Sequence, residues 1–372
     1  MLANPQATAS QLQQRLSLSA LPQDLYESVF IATQCLTQAA GLLLRLPQSV
    51  TAQANVILAR YWLVDSPMAH EFSDVSAASL YLMAKLSPSP RSPRDISNVY
   101  AYLVSPRSPL FRVGEALAAD DAEPYFQTEG QYQAFSQRLL ALEVRILSSL
   151  SFDTHVALPH PLAITYLQTL DFMSKPKAQA SLRTIQYLNT ALLSPQMLYL
   201  THQPHALATA AIYIAARDLG AKMPDCNWWE VLDVDREELG FLIAAMRSLE
   251  GWWRKRKEDL GQLGQSMLTR KGIEDEVRKR GLRVIDGRGS DEEDRVMKLM
   301  DSMVHGQSYV EDNAGLGYDR RDESLGRPAI GVDGVGDDRR SLGDGPRRLP
   351  DPRHLDVMRA TACCDLLRPA TA

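Results

Sequence analysis

The sequence has little cysteine and no long apolar run. Its 372 residues include only four cysteines, Cys35, Cys226, Cys363 and Cys364, whose spacing shows neither a disulfide framework nor a Cys-x-x-Cys pair. No window reaches the roughly 18 uninterrupted apolar residues that a membrane-spanning helix needs. A disulfide-stapled secreted protein and a transmembrane protein are therefore disfavoured, and we expect a soluble protein of a reducing intracellular compartment.

The sequence also lacks an excess of positive charge. Its formal net charge is −5 at pH 7, and residues 24–262 carry 20 Lys and Arg against 24 Asp and Glu, a net of −4. A protein that binds nucleic acid collects positive charge on its working surface. The balance favours a protein partner, and we expect no direct contact with nucleic acid or membrane.

Residue patterns typical of catalysis or metal binding are missing as well. No Ser-His-Asp, Cys-His or paired-carboxylate arrangement stands out, so we expect no catalytic site. His202 and His205 are spaced like part of a metal site, but no neighbouring residue completes a set of four ligands. We expect neither a bound metal nor another cofactor.

Large aromatic residues are missing from the C-terminal part. All eight Phe and all five Trp precede residue 254, whereas 14 of the 21 Gly fall in the 110 residues from Leu263 to Ala372. A segment of that composition cannot bury enough apolar surface to offset the entropy of folding. Residues 263–372 are therefore predicted to be largely disordered, with one short helix near Asp291 to Met303.

Between Asp24 and about Leu260 the sequence has strong helical periodicity. Apolar residues recur at spacings of three and four, prolines stand at the proposed boundaries, and strand signals are missing. The pattern predicts an all-α fold. The predicted helices cover residues 24–44, 48–63, 72–86, 93–103, 130–149, 160–172, 178–192, 204–219, 227–232 and 236–257.

The ten predicted helices form two similar sets of five. The segment from Ala78 to Lys85 can be aligned with the segment from Ala210 to Arg217, 132 residues later. Each is the third helix of its set, and each is apolar or small on nearly every face. Small side chains let neighbouring helices approach closely, so each segment is predicted to be the central helix of a bundle.

An ordered series of segments resembles the cyclin L group of the cyclin family. The series runs through AGLLLRLPQ at 40–48, MAKL at 83–86, RSPRDISNVY at 91–100, LEVRILSSLSF at 142–152, PHP at 159–161, YLQ at 166–168 and IYIAAR at 212–217. This resemblance implies two tandem five-helix cyclin boxes. The implied divisions are an N-terminal segment at 1–23, a kinase-binding box at 24–155, a second box at 156–262 and the tail at 263–372.

The same resemblance implies a function and a binding site. Cyclins are regulatory subunits, not enzymes; they bind a cyclin-dependent protein kinase as a heterodimer and complete its active site. The family's docking lysine and glutamate match Lys85 and Glu143, and we place Leu86 and Leu147 in the same kinase-binding surface. The cyclin L likeness further implies a nuclear protein acting in RNA polymerase II transcription or pre-mRNA processing, with transcription or splicing factors as further partners.

The residues themselves leave the role of this pair open. Glu143 is the single carboxylate in an otherwise apolar stretch, and a charge there needs a partner. An internal salt bridge with Lys85, two solvated helix ends and a docking pair all fit. The chain also departs from the family, because Ser87-Pro88 stands where acidic residues follow the lysine and only Arg340-Ser341 replaces the long Arg-Ser-rich tail of animal members.

Two other functions remain open at the level of sequence. A cyclin-fold general transcription factor shares this architecture, although the chain lacks the zinc ribbon and the basic face of such proteins. A helical scaffold without kinase activation is the other. The Ser-Pro steps at Ser87, Ser89, Ser92, Ser105 and Ser108 resemble sites for proline-directed kinases, and ordinary turn chemistry explains them too.

Overall fold

The computed structural model describes residues 3–105, 127–172, 179–260 and 267–282, and within these ranges the chain is helical without any strand. No helix among them is long and apolar enough to cross a membrane. A short 3-10 helix at Pro67–Ala69 precedes the fourth α-helix. The α-helices are α1 (Ala9–Ser19), α2 (Gln23–Leu43), α3 (Gln48–Val64), α4 (Phe72–Leu86), α5 (Pro93–Val104), α6 (Glu129–Ser149), α7 (Pro159–Thr169), α8 (Gln179–Ala191), α9 (Leu198–Thr201), α10 (Pro204–Asp218), α11 (Trp228–Val231), α12 (Arg236–Leu260) and α13 (Arg270–Lys279).

The all-α prediction is confirmed, and the ten predicted helices match α2 to α8 and α10 to α12 within about three residues at each end. Helices α1, α9 and α13 were not predicted. Helix α13 lies in the segment expected to be largely disordered, yet Ile273 and Val277 are buried in the core. Its pattern is hard to detect because charged residues surround those two apolar ones. The short helix expected at 291–303 lies outside the described residues.

Helices α2 to α6 form a first bundle around α4. This central helix contacts α2, α3, α5 and α6, and its buried residues include Ser76, Ala77, Ala78 and Ser79. Such short side chains keep the surrounding helix axes close. The hydroxyl of Ser76 lies 2.7 Å from the Thr37 hydroxyl and 2.7 Å from the Tyr100 hydroxyl, so these buried polar groups satisfy one another.

Helices α7 to α12 form a second bundle around α10. This helix contacts α7, α8, α9 and α12, and the buried alanines Ala208, Ala210, Ala211 and Ala215 line it. The structure therefore places each of the two aligned segments at the centre of its bundle, as their small residues predict.

The N-terminal segment contacts both bundles, because α1 packs on α2 and α3 while Asn4 is bonded to the second bundle. The side-chain amide of Asn4 donates to the carbonyl of Ala157 at 2.8 Å, and the Ala157 amide donates back to Asn4 Oδ1 at 2.7 Å. The backbone of Asn4 exchanges two further hydrogen bonds with the side chain of Gln203. Asn4 is buried, so these hydrogen bonds replace the water that its polar groups lose on folding.

A polar cluster also joins the bundles. The side chain of Gln48, at the start of α3, donates to Gln38 at 3.1 Å and to Asn189 of α8 at 3.0 Å. The Nε2 atom of His160 in α7 lies 2.9 Å from the same Asn189 oxygen. Because that oxygen only accepts, His160 donates from Nε2, and its Nδ1 is buried without a hydrogen-bond partner.

Gly41 marks a close approach of α2 to α3. A Cβ atom at this position would lie 2.6 Å from Cγ2 and 3.0 Å from Cβ of Thr51, and nearer still to its hydroxyl. Those distances are far below van der Waals contact. We therefore expect Gly41→Ala to push the two helices apart and to destabilise the protein by about 1–3 kcal/mol.

Gly240→Ala is a matched control for Gly41→Ala. Nothing lies within 4 Å of a Cβ built on Gly240 in α12, so this substitution is expected to stabilise the helix by about 0.5–1 kcal/mol. Urea unfolding followed by circular dichroism measures both free energies. Equal effects of the two substitutions would contradict the tight α2–α3 contact.

Three partly buried histidines predict that stability falls in mild acid. Burial lowers the pKa of His160, partly offset by its hydrogen bond to Asn189, and burial also lowers the pKa values of His70 and His202. Below about pH 6.5 the unfolded chain then binds more protons than the folded chain. The free energy of unfolding is therefore highest above that pH and decreases as the pH falls through it.

His160→Gln isolates the contribution of one histidine because glutamine can still donate to Asn189. We expect the loss of unfolding free energy between pH 7 and pH 5 to be smaller in this variant than in the wild type, measured by denaturant unfolding at each pH. An unchanged slope would show that His160 binds protons equally in the folded and unfolded states over that range.

Candidate functional site

The structure brings Lys85 and Glu143 together. Lys85 stands in the last turn of α4 and Glu143 in the second half of α6, and Lys85 Nζ donates to Glu143 Oε1 at 2.9 Å. The side chain of Glu143 is 7% exposed, whereas that of Lys85 is 55% exposed. The pair thus has one end within the protein and the other at its surface.

The burial of Glu143 is unusual for its chemistry. It is the single buried Asp or Glu in the part of the chain that the structure describes. Its neighbours Leu139, Leu142 and Ile146 face the core, which holds Glu143 at the edge of the buried stripe of α6. A carboxylate taken from water requires a cation, and Lys85 supplies it.

The electrostatics of Lys85 reflect this partner. The hydrogen bond to Glu143, and then the negative charge of Glu143, raise the pKa of Lys85 above its ordinary value. The ammonium also lies 5.8 Å from the centre of the Tyr81 ring. Lys85 is therefore fully charged at neutral pH, and its exposed ammonium has hydrogen-bond donors beyond the one that Glu143 uses.

An exposed apolar ridge lies beside the ion pair. Leu140, Val144 and Leu147 are spaced at i, i+4 and i+7 on α6 and share one face of the helix. Leu140 is 44% exposed and Val144 62% exposed, and Leu147 is half-buried. Leu86, next to Lys85, is 58% exposed. We call Lys85, Leu86, Leu140, Glu143, Val144 and Leu147 the docking surface.

Sequence reasoning named four of these residues and missed Leu140 and Val144. The segment around Glu143 is apolar on nearly every face, so its periodicity does not separate the buried stripe from the exposed ridge. This excess of apolar residues is the signal from which an exposed ridge could have been predicted. A helix that carries more apolar faces than one core needs must expose some of them.

A second ion pair fixes the orientation of α6. Arg145 Nε donates to Asp65 Oδ2 at 2.8 Å, and the hydroxyl of Tyr61 donates to the same oxygen at 2.5 Å. Burial alone would raise the pKa of Asp65, but the bonds from Tyr61, Arg145 and the Ser66 amide hold it below its ordinary value. These contacts tie α6 to the end of α3, so Glu143 is presented to Lys85 at a fixed rotation of α6.

The groups on this surface are of the kinds that can contact a protein helix. A half-exposed ammonium can donate to carbonyl oxygens of a docked helix, and the apolar ridge can be covered by its side chains. In the described part of the chain, no group of three or more His, Cys, Asp or Glu could hold a metal ion. His202, singled out with His205 for its spacing, stacks on Phe241 instead.

Known proteins that are similar in sequence to this chain include cyclin L and cyclin-L1-like proteins. An uncharacterized cyclin-L1-like protein of Schizosaccharomyces pombe is 31% identical over 211 residues, which cover 57% of this chain and 78% of that protein. Human cyclin-L1 is 33% identical over 204 residues, 55% of this chain and 36% of that protein. Human cyclin-L2 is 30% identical over 261 residues, 68% of this chain and 46% of that protein. A scan of protein-family models gives no match.

Solved structures support the same fold. A chain of the yeast RNA Pol II CTD kinase CTDK-1 complex aligns with a TM-score of 0.53 and 16% identity, covering 88% of this chain and 96% of that one. A chain of the CAK complex of Chaetomium thermophilum bound to ATP-gamma-S aligns with a TM-score of 0.53 and 15% identity, covering 86% and 95%.

The chain spans somewhat less than half the length of the first curated relatives it matches. The fission yeast relative, in contrast, is matched over most of its length. The chain shares its fold with the solved structures and is 31% identical to the fission yeast protein over most of that protein's length. The chain therefore belongs to the cyclin L family.

Proposed function

We propose that this chain is a regulatory cyclin subunit that binds a cyclin-dependent serine/threonine protein kinase through the docking surface and activates it. The observation that carries the proposal is the exposed apolar ridge of Leu140 and Val144 beside the half-exposed Lys85–Glu143 pair. Exposed apolar surface with a central charged pair suits a partner that is a protein helix.

The proposed mechanism is positional. A protein kinase is active only when a glutamate of its regulatory helix pairs with the lysine that anchors the ATP phosphates. A rigid surface that binds that helix in one orientation selects the active arrangement. The chain supplies such rigidity, because Asp65 and Arg145 fix α6 while close packing around α4 fixes Lys85. It contributes no catalytic group of its own.

The process served by the kinase is a further part of the proposal. The cyclin L relatives favour a nuclear role in transcription or pre-mRNA processing, and so does the fold shared with a chain of an RNA Pol II CTD kinase complex. We therefore propose the repeated tail of RNA polymerase II as the first substrate to assay. A cyclin-fold transcription factor that grips DNA is not favoured by a net charge of −5.

The contribution of the ion pair to folding stability must be measured before its role in docking can be assessed. Lys85→Met leaves the buried Glu143 carboxylate without its cation, and because the lysine end is half-exposed we expect a loss of about 1–2 kcal/mol of unfolding free energy. The double variant Lys85→Met with Glu143→Leu removes both charges and is expected to recover most of that loss. Denaturant unfolding measures the cycle, and a double variant less stable than Lys85→Met would contradict this account of the pair.

The kinase test uses the tagged chain in cells. The captured kinase is identified by mass spectrometry, both proteins are purified, and affinity and activity on a polymerase-tail peptide are measured. Replacing Leu140 and Val144 together by Gln is expected to weaken binding by about tenfold or more, because the ridge then stays hydrated in the complex.

Leu182→Gln is the matched control, since Leu182 of α8 has the same 62% exposure as Val144 but lies in the second bundle. It is expected to bind as the wild type does. Absence of any active kinase with the wild type would refute the proposed function. Active kinase that is equally retained by the Leu140 and Val144 variant would preserve the function and refute this surface.

A further inference from the structure

The connection between α4 and α5 contains three Ser-Pro steps in eight residues. They lie in the sequence Ser87-Pro88-Ser89-Pro90-Arg91-Ser92-Pro93-Arg94. A proline directly after serine is the feature that proline-directed protein kinases recognise. Proline also disfavours helical conformation in the residue before it, and Ser92 has φ −72° and ψ 151°, an extended backbone of the kind that kinases bind.

The three serines differ in what their hydroxyls already do. The Ser87 hydroxyl donates to the Ala84 carbonyl at 2.8 Å and accepts from the Ser89 amide at 3.1 Å, which closes the C-terminus of α4. A phosphate on Ser87 would remove that donor and add negative charge at the negative end of a helix. Ser92 is exposed, whereas Ser87 and Ser89 are half-buried, so exposure also favours Ser92.

The Ser92 hydroxyl acts as an acceptor in the bond that the structure gives it. It accepts from the Asp95 amide at 3.1 Å as the N-cap of α5, and the oxygens of a phosphoserine can still accept that bond. Fraying of the first helical turn, which costs little free energy, releases the Ser92 segment to a kinase.

Two arginines flank Ser92, and their side chains differ in how strongly their contacts hold them. Arg91 is engaged with backbone carbonyls at the end of α2, donating to Leu44 at 2.8 Å and to Arg45 at 3.2 Å, and it anchors the connection. Arg94 pairs with Glu129 at 2.6 Å, but both side chains are more than half exposed. An exposed ion pair contributes little, so a phosphate dianion next to it can compete for the guanidinium.

We propose that Ser92 is a phosphorylation site for a proline-directed serine/threonine kinase, and that the phosphate binds Arg94 in place of Glu129. In this step the γ-phosphoryl group of ATP is transferred to Ser92 Oγ. The new Oγ–P bond forms as the bond to the β,γ-bridging oxygen breaks, ADP leaves with the electron pair, and the hydroxyl proton passes to the carboxylate base of the kinase.

The location gives the modification a route to the docking surface. Lys85, just before the Ser-Pro segment, contacts Glu143 of α6, and Arg94, just after Ser92, contacts Glu129 of the same helix. Those two glutamates are 14 residues apart, about 21 Å along the helix. The segment therefore joins two points of the helix that carries the ridge. The site itself does not depend on the proposed cyclin function.

The test incubates the full chain with a purified, active proline-directed kinase and ATP, and locates phosphate by site-resolved mass spectrometry. We expect phosphate on Ser92 well before Ser87 or Ser89. Ser92→Asn keeps an N-cap residue but removes the hydroxyl that receives the phosphate. This variant should lose most phosphate incorporation in this segment. Ser92→Thr, which retains both functions, should restore it. Site-resolved mass spectrometry also distinguishes Ser92 from Ser105, at the end of α5, and from Ser108, which lies outside the described residues.

The binding of the phosphate by Arg94 has its own readout. A phosphoserine loses its last proton near pH 6, and an adjacent guanidinium lowers that value. Phosphorus NMR titration of the modified chain should therefore give a lower phosphate pKa in the wild type than in Arg94→Gln. Phosphate that appears first on Ser87 or Ser89, or in none of the three, overturns the site. Equal titration of the two proteins overturns the capture by Arg94.

Discussion

Close packing around α4 is the constraint on which the first bundle depends. Ser76, Ala77, Ala78 and Ser79 are short enough for four helices to surround one. With that arrangement set, the position of Lys85 relative to α6 is also set, since both belong to elements that cannot shift independently. The docking surface is thus a product of interior packing, although the residues that would meet a partner lie outside.

Partly buried polar groups determine how the helices are oriented within and between the bundles. Apolar packing tolerates small rotations, whereas a hydrogen bond to a specific oxygen does not. The bonds from Arg145 and Tyr61 to Asp65 set the rotation of α6. The bond from Gln48 to Asn189 fixes the position of one bundle relative to the other, and His160 holds the same Asn189 oxygen. Because these groups are partly shielded from water, leaving one of them without its partner would lower the stability of the fold.

The long helices were predictable because each carries its own periodic stripe, and prolines mark where the stripes end. The pairing of Lys85 with Glu143 was predictable only as one of several alternatives, since one charge in an apolar stretch shows that a partner exists but not which one. The contacts of Asn4, Asp65 and Arg145 could not be predicted. Each depends on a single polar residue whose partner is distant in sequence, and such a residue leaves no periodic pattern. Helix α13 was missed for a related reason, because two apolar residues among many charges do not form a recognisable stripe.

The attachment of the N-terminal segment has a consequence for the order of folding. Asn4 is synthesised before its partners Ala157 and Gln203, which follow about 150 and 200 residues later. At typical rates of synthesis of about 5–20 residues per second, the segment waits roughly ten seconds or more for them. Helices α2 to α6 are synthesised during that interval, so closure of the N-terminal segment onto the second bundle is a late, long-range step of folding.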